Sequence, residues 1–243
     1  MAGALVWISG ASSGIGAALV RAVPWPQARV IGISRRPPAG AAHLAADLSD
    51  PDGWRVVGQS FTHELAGFAG DVVAFVHAAG SIEPVGFASA VDAGAYQANV
   101  VLNSAAPQVL GQMFLAATEG VEARRHLVMI TSGAARSVYP GWTAYGAAKA
   151  ATDQWVRTAG AEQPTRGGAH VLAVAPGTVD TAMQARLREA SEADFPQRQK
   201  FVDLHAGGRL SDPDEVARRI WALLDGGTAT GDVVDLRQVA GQG

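Results

Sequence analysis

The sequence predicts an α/β fold: a doubly wound parallel sheet of about seven strands with helices on both faces, formed as one domain over residues 1–243. Three observations carry that expectation. Short apolar runs alternate along the chain with longer stretches of helical spacing. The runs are continuously apolar rather than alternating, which is the pattern of strands covered on both faces. A glycine-rich turn follows the first run directly and opens a helical stretch.

Residues 5–8 (Leu-Val-Trp-Ile) are apolar with no basic residue before them and a turn after them, so they read as a strand rather than a signal peptide. A helix at 14–23 and a strand at 30–33 complete the first β-α-β. A weaker strand near 43–46 precedes a helix at 51–68. Residues 72–77 form the next strand and lead to a helix at 93–118. Strands at 127–131 and 171–175 are separated by a helix at 144–161, and a helix at 213–224 leads to a last strand at 233–236. Right-handed crossovers turn this repetition into a doubly wound sheet. No Pro/Gly/Ser linker divides the chain. Residues 180–210 break the rhythm, being too long and too polar for a plain connection, and are expected to form a substrate lid.

Composition narrows the function. The 243 residues are 48% hydrophobic, enough for a large core, and the net charge of -3 leaves no footprint for nucleic acid or an anionic membrane. Cysteine is absent, which excludes disulfides, thiolate zinc sites and cysteine nucleophiles. The six histidines form no helical pair, so no metal site is expected. No apolar run approaches the ~18 residues of a membrane span. A cytoplasmic enzyme acting on a small molecule is the expectation.

The turn after the first strand reads Ser9-Gly10-Ala11-Ser12-Ser13-Gly14-Ile15-Gly16. Glycines let a backbone approach a pyrophosphate, whose charge then meets the helix N-terminus. Where the second strand ends, an acidic residue would bind ribose hydroxyls and an arginine a 2′-phosphate. The sequence there is Ser34-Arg35-Arg36, which selects NADP(H); solvated loop arginines are the plain alternative. Tyr145-Gly-Ala-Ala-Lys149 is the sharpest signal, because three tyrosines and two lysines would meet at that spacing about 0.025 times by chance. On a helix the pair shares one face, and a lysine charge is expected to lower the phenol pKa and make Tyr145 a usable general acid.

Together these motifs resemble the short-chain dehydrogenase/reductase family over residues 5–236, which implies a Rossmann-like fold. In that family a serine placed as Ser132 is, thirteen residues before Tyr145, hydrogen-bonds the substrate carbonyl; Thr131 is its neighbour and rival. The resemblance gives Asn99 the role of the helix asparagine holding a water next to Lys149, with Asn103 as competitor. Asp47-Leu48 resembles the adenine-binding pair, although Asp47 also suits a helix start before Pro51. Ala78-Ala79-Gly80, after His77, stands where the family often has Asn-Asn-Ala-Gly, so backbone groups must act there; His77 itself reads as structural. Pro176-Gly177-Thr178-Val179-Asp180-Thr181 resembles the segment that grips the nicotinamide carboxamide, through the Val179 backbone and the Thr181 hydroxyl.

Met183-Gln184, the run Gly208-Arg209-Leu210 before Asp212-Pro213, and the ending at Asp235 resemble the sepiapterin reductase and benzil reductase branch. That likeness makes Asp235 a candidate anchor for a pterin ring, with a pair to Arg237 or Arg209 as the bland alternative. Trp142, Met183, Ile82, Leu187, Phe195 and Phe201 are candidates for an aromatic-tolerant pocket, or for ordinary packing. The implied activity is NADPH-dependent reduction of a ketone or 1,2-dicarbonyl. A 3-oxoacyl thioester reductase and a non-catalytic NADP(H) sensor are the alternatives. The family forms dimers through the helices at 93–118 and 144–161, so a homodimer or homotetramer is implied.

Overall fold

The computed structural model describes residues 3–166 and 168–239; the ends of the expected domain, 1–2 and 240–243, lie outside the described residues, as does 167. Its strands are β1 Ala4–Ser9, β2 Arg29–Ser34, β3 Ala42–Ala45, β4 Val72–His77, β5 Arg124–Ile130, β6 His170–Ala175 and β7 Val233–Asp235. They pair in parallel in the order β3-β2-β1-β4-β5-β6-β7. The order reverses between β1 and β4, so a crevice opens beyond their C-terminal ends. Ser9 sits there, in register with Ile33 on one side and His77 on the other.

The helices are α1 Gly14–Arg21, α2 Pro51–Leu65, α3 Ala93–Val100, α4 Ala106–Ala117, α5 Thr143–Arg166, α6 Ala182–Glu189, α7 Arg198–Ala206, α8 Pro213–Ala222 and α9 Leu236–Val239. Every residue of β1 and β4 is buried, as their unbroken apolar sequence requires. On one face α1 and α8 pack Leu19, Ile220 and Trp221 over Val6 and Ile8. On the other, α2 and α4 bring Phe61 and Phe114 against Trp7 and Phe75, with ring centroids 5.1 to 6.4 Å apart. Burying a ring of that size contributes about 1.5–3 kcal/mol. Both layers cover the faces of the sheet and leave its C-terminal edge as the shelf for the site.

The long helix expected at 93–118 is interrupted. A π turn at Val101–Ala105 joins α3 to α4, and the Ala106 N–H reaches back five residues to the Val101 carbonyl. Pro107 explains the break: it has no N–H to offer the carbonyl of Asn103, and its ring crowds a regular turn. The Thr152 hydroxyl lies 3.4 Å from the freed Asn103 carbonyl and shares its one proton between that oxygen and the Ala148 carbonyl at 3.1 Å. The whole path, Ala93–Ala117, is long and apolar enough by length and composition to cross a membrane, contrary to the sequence expectation. Its Leu110 and Phe114 are nevertheless fully buried against the sheet.

Residues 180–210 form a cap made of α6 and α7. Its root is pinned: Asp180 N–H donates to the Ser211 carbonyl at 3.0 Å and Ser211 N–H to the Thr178 carbonyl at 2.9 Å. Leu187, Phe195 and Phe201 anchor it against Ile82, Trp142 and Tyr145.

Candidate active site

Tyr145 and Lys149 stand one turn apart on α5, both buried, beside the C-terminal end of β5. Lys149 Nζ donates to the Ile130 carbonyl at 2.9 Å and lies 5.8 Å from the centre of the Tyr145 ring. Ser132 hydrogen-bonds Tyr145, and its Oγ also accepts the Ala134 N–H at 3.1 Å. The Thr131 hydroxyl turns the other way and donates to the Lys149 carbonyl at 3.4 Å. Ser132 is therefore the hydroxyl beside Tyr145.

The electrostatics differ from the sequence expectation. Burial pushes the Tyr145 phenol above its usual value, and the Ser132 hydrogen bond opposes that rise. Lys149, its ammonium turned to the Ile130 carbonyl and 5.8 Å from the ring centre, does not offset that rise. Burial pushes Lys149 down to about 8, with Asp153 opposing from one turn further along α5. At neutral pH the phenol keeps its proton and has one to give.

Both asparagines meet at the Ser81 carbonyl, to which Asn103 Nδ2 donates at 2.8 Å. Asn99 Nδ2 donates to the carbonyls of Ser81, at 3.1 Å, and Glu83. Asn103 also stands beside Lys149: a Cβ built on Gly80 would be 2.8 Å from Asn103 Oδ1 and 3.7 Å from Lys149 Nζ. The structure thus brings Asn103 beside Lys149, and Asn99 to the neighbouring cleft.

A cavity of about 130 Å³ lies against Tyr145, walled by Ser132, Trp142, Met183, Gln184 and Phe201, and on the strand side by Pro176, Gly177, Val179 and Thr181. Leu187 and Phe195 support this wall from behind. A second cleft of about 400 Å³ is lined by Gly10, Ser12, Ser13, Ser34, Arg35, Arg36, Asp47 and Leu48. Gly80 borders both, so they form one groove across the shelf, with Ile15 and Ala78 on the first side and Ala79 on the second.

That groove fits a dinucleotide. Gly10 has φ +68°, and a Cβ there would come within 2.9 Å of the Ala79 nitrogen; a Cβ on Gly16 would lie 2.2 Å from the Gly10 carbonyl oxygen. A Cβ on Gly14 would reach Thr181 at 3.4 Å, which narrows the space between turn and cap. At the far end Arg35 is 3.9 Å from Asp47, both well exposed, and Arg36 shares the cleft. Hydrogen bonds from Ser49 hold the Asp47 carboxyl below the usual range. Asp47 does not start α2; Asp50 does, accepting the Asp52 N–H at 2.9 Å.

Two features escaped the sequence reading. Ser9 Oγ accepts the N–H groups of Ala78, at 3.0 Å, and Ala79, at 3.1 Å, and meets His77 Nδ1 at 3.1 Å. One hydroxyl therefore fixes the backbone where side-chain amides are missing, and its partners arrive from nearly 70 residues away, which no local pattern reveals. Burial pushes the His77 imidazole down to about 3, with the Lys149 charge adding to the effect, so it stays neutral. The second is the place of Arg237 beside the cavity, its pair with Asp235 being the plain alternative that the sequence offered. Asp235, the candidate substrate anchor, is 4% exposed and gives both carboxylate oxygens to Arg237, at 3.0 and 2.6 Å. Arg237, not Asp235, borders the cavity.

The family model for short chain dehydrogenase matches residues 4–192. The chain belongs to the short-chain dehydrogenase/reductase family. A benzil reductase ((S)-benzoin forming) of Bacillus subtilis is 34% identical over 167 residues, 68% of this chain and 69% of that one. Sepiapterin reductase of Mus musculus is 38% identical over 98 residues, covering 40% and 36% of the two chains. Among solved structures, the short-chain dehydrogenase/reductase YIR035C of Saccharomyces cerevisiae matches with a TM-score of 0.80 at 24% identity, over 97% of this chain and 96% of that one. These relatives agree with the branch that the sequence resembles, and this short-chain oxidoreductase has the family's seven-stranded sheet.

Proposed function

We propose that the protein is an NADPH-dependent reductase of ketones, with 1,2-dicarbonyl compounds as its substrate class, acting in the cytoplasm as a homodimer or homotetramer. The observation that carries this reading is Tyr145, flanked by Ser132 and Lys149, in the wall of a small cavity continuous with the glycine-turn cleft. The dicarbonyl preference rests on the name of the Bacillus subtilis relative. The preference for the 2′-phosphate rests on Arg35 and Arg36, whose guanidinium groups match phosphate geometry.

Gly10, Ser12, Ser13, Gly14, Ile15 and Gly16 would hold the diphosphate, Asp47 and Leu48 the adenine, and Pro176, Gly177, Val179 and Thr181 the carboxamide. When bound, the reduced nicotinamide supplies a hydride to the carbonyl carbon. Ser132 donates a hydrogen bond to the carbonyl oxygen and polarises it. Tyr145 delivers its proton to the same oxygen. Lys149 stabilises the phenolate left behind and would hold the nicotinamide ribose. We assign the asparagine role beside Lys149 to Asn103, whose carbonyl is freed from the helix by Pro107. The α6–α7 cap excludes water from the reaction.

The test is a panel of 1,2-diketones, pterins and 3-oxoacyl thioesters, followed by NADPH absorbance. Diketones turn over with the highest kcat/KM in this reading; faster thioester reduction, or no turnover of any member, overturns it. Arg35→Asp should cut the NADPH over NADH preference about tenfold or more, because a charge-assisted phosphate contact is lost.

A further inference from the structure

The cavity against Tyr145 carries a cation that the mechanism above does not use. Arg237, on the first turn of α9, borders it. Its Nε and Nη2 donate to Asp235, whose Oδ1 also accepts the Arg237 backbone N–H at 3.1 Å. The carboxylate is 4% exposed and the guanidinium 62%, so the acid stays inside the protein and the cation is presented outward. This grip occupies two of the five guanidinium N–H groups and leaves Nη1 and one Nη2 hydrogen to a ligand.

Two glycines make room for the group. A Cβ on Gly133 would lie 3.3 Å from Arg237 Nη2, and one on Gly177 would lie 3.3 Å from its Cγ. Gly133 follows Ser132 directly, so the guanidinium stands one residue from the hydroxyl assigned to the ketone oxygen. A second cation, Lys200, donates to Tyr139 Oη at 2.8 Å, and Tyr139 lines the same cavity. The wall beside Arg237 is aromatic: Trp142 lies 5.3 Å from Tyr139 and 4.9 Å from Phe195, centre to centre. Trp142 Nε1 is buried and has no hydrogen-bond partner among the described residues, which leaves one more donor in that wall.

We propose that the site takes aryl 2-oxo acids, with Arg237 holding the carboxylate while the ketone oxygen lies between Ser132 and Tyr145. The carboxylate carbon is bonded to the ketone carbon, so its two contacts must be near neighbours, as Ser132 and the Arg237 guanidinium are. The inference rests on the reductase reading and sharpens its substrate class. The hydride from the reduced nicotinamide joins the ketone carbon, the Tyr145 proton goes to its oxygen, and a 2-hydroxy acid leaves with the carboxylate unchanged. Asp235 is a positioning residue that fixes the guanidinium.

The test compares benzoylformate with 1-phenyl-1,2-propanedione, two phenyl ketones that differ only in carboxylate against acetyl. The parent protein should favour benzoylformate in kcat/KM, mainly through KM. Arg237→Gln should lower the benzoylformate-to-dione ratio about tenfold. That change leaves Asp235 buried and unpaired, so the double variant Asp235→Asn, Arg237→Gln, with a neutral pair, guards against a folding defect and should show the same fall. Calorimetric titration of the NADP⁺ complex with mandelate, the product, reads the same contact without turnover. Its affinity should drop in both variants and weaken with added salt. Turnover of the dione with no preference for benzoylformate, or an unchanged ratio in the folded double variant, overturns the carboxylate site alone. Turnover of neither ketone overturns the reductase reading and this inference with it.

Discussion

Burial, more than any neighbouring charge, decides the protonation of Tyr145. A phenol pushed above its ordinary range keeps its proton at neutral pH, and Ser132 hydrogen-bonds that phenol. The Tyr-Lys spacing was legible in the sequence because helical geometry is local: residues four apart share a face in any helix. Its electrostatics were not legible, because they depend on Lys149 turning to Ile130, a contact across 19 residues set by how α5 lies on β5. Asp235 shows the same divide. Its position at a strand end and Arg237 as a partner were visible, but the choice of that partner over Arg209 and over a ligand follows from α9 starting one residue later. At this scale the decisive variant is Tyr145→Phe. It keeps the ring and removes the proton, so kcat on a verified substrate should fall about a hundredfold or more while NADPH affinity, read by fluorescence titration, holds. Near-normal kcat would remove Tyr145 from the proton step.

Elements built from one periodicity were legible, and elements set by an exception were not. The strands β1, β4 and β6 follow their apolar runs within a residue or so, because burial on both faces demands continuity. The cap helices α6 and α7 carry mixed, polar sequence, and only the arrival of Ile82 and Trp142 from elsewhere gives them something to pack on. The path from Ala93 to Ala117 reads as one helix, and its π turn depends on the single Pro107. That turn decides which asparagine reaches Lys149, since a regular helix would rotate Asn103 relative to α5. Pro107→Ala restores the missing N–H and favours the regular turn. The expected result is an unchanged or raised Tm with kcat lowered about tenfold, since a small displacement of a catalytic neighbour is costly. Unchanged kcat in a variant whose helix has become regular would detach the π turn from catalysis.

For the molecule as a whole, two consequences come from what the sheet seals in and what its helices leave out. His77 and His126 are buried in β4 and β5, and desolvation holds them near 3 and near 4, far below the usual 6.5. Below about pH 6.5 the unfolded chain takes up two protons that the folded chain refuses. Stability is therefore complete above pH 6.5 and is lost as pH falls toward 4, by about 1.4 kcal/mol per pH unit for each histidine. Urea midpoints at pH 7 and pH 5 measure that slope, and His126→Phe should roughly halve it; an unaltered slope would exclude His126 as a source. The second consequence concerns the outer faces of α4 and α5. The helical path through α3 and α4 has a mean hydropathy of 1.3 over its most apolar stretch, yet only 33% of that stretch is buried in one chain. Leu115 and Trp155 line a groove of about 340 Å³ between α4 and α5, which Gln112, Glu119, Glu162 and Arg166 make polar along its other side. Apolar surface of that extent is favourable to cover, and a second copy presenting the same two helices would cover it symmetrically. Light scattering should then report two or four times the 25.0 kDa of one chain. Ala116→Glu places a charge on the exposed face without touching the core, so it should halve the mass or reduce it to that of a monomer while leaving the far-UV dichroism unchanged. A parent protein that is already monomeric at micromolar concentration would overturn this assembly, and the apolar helix would then need another partner.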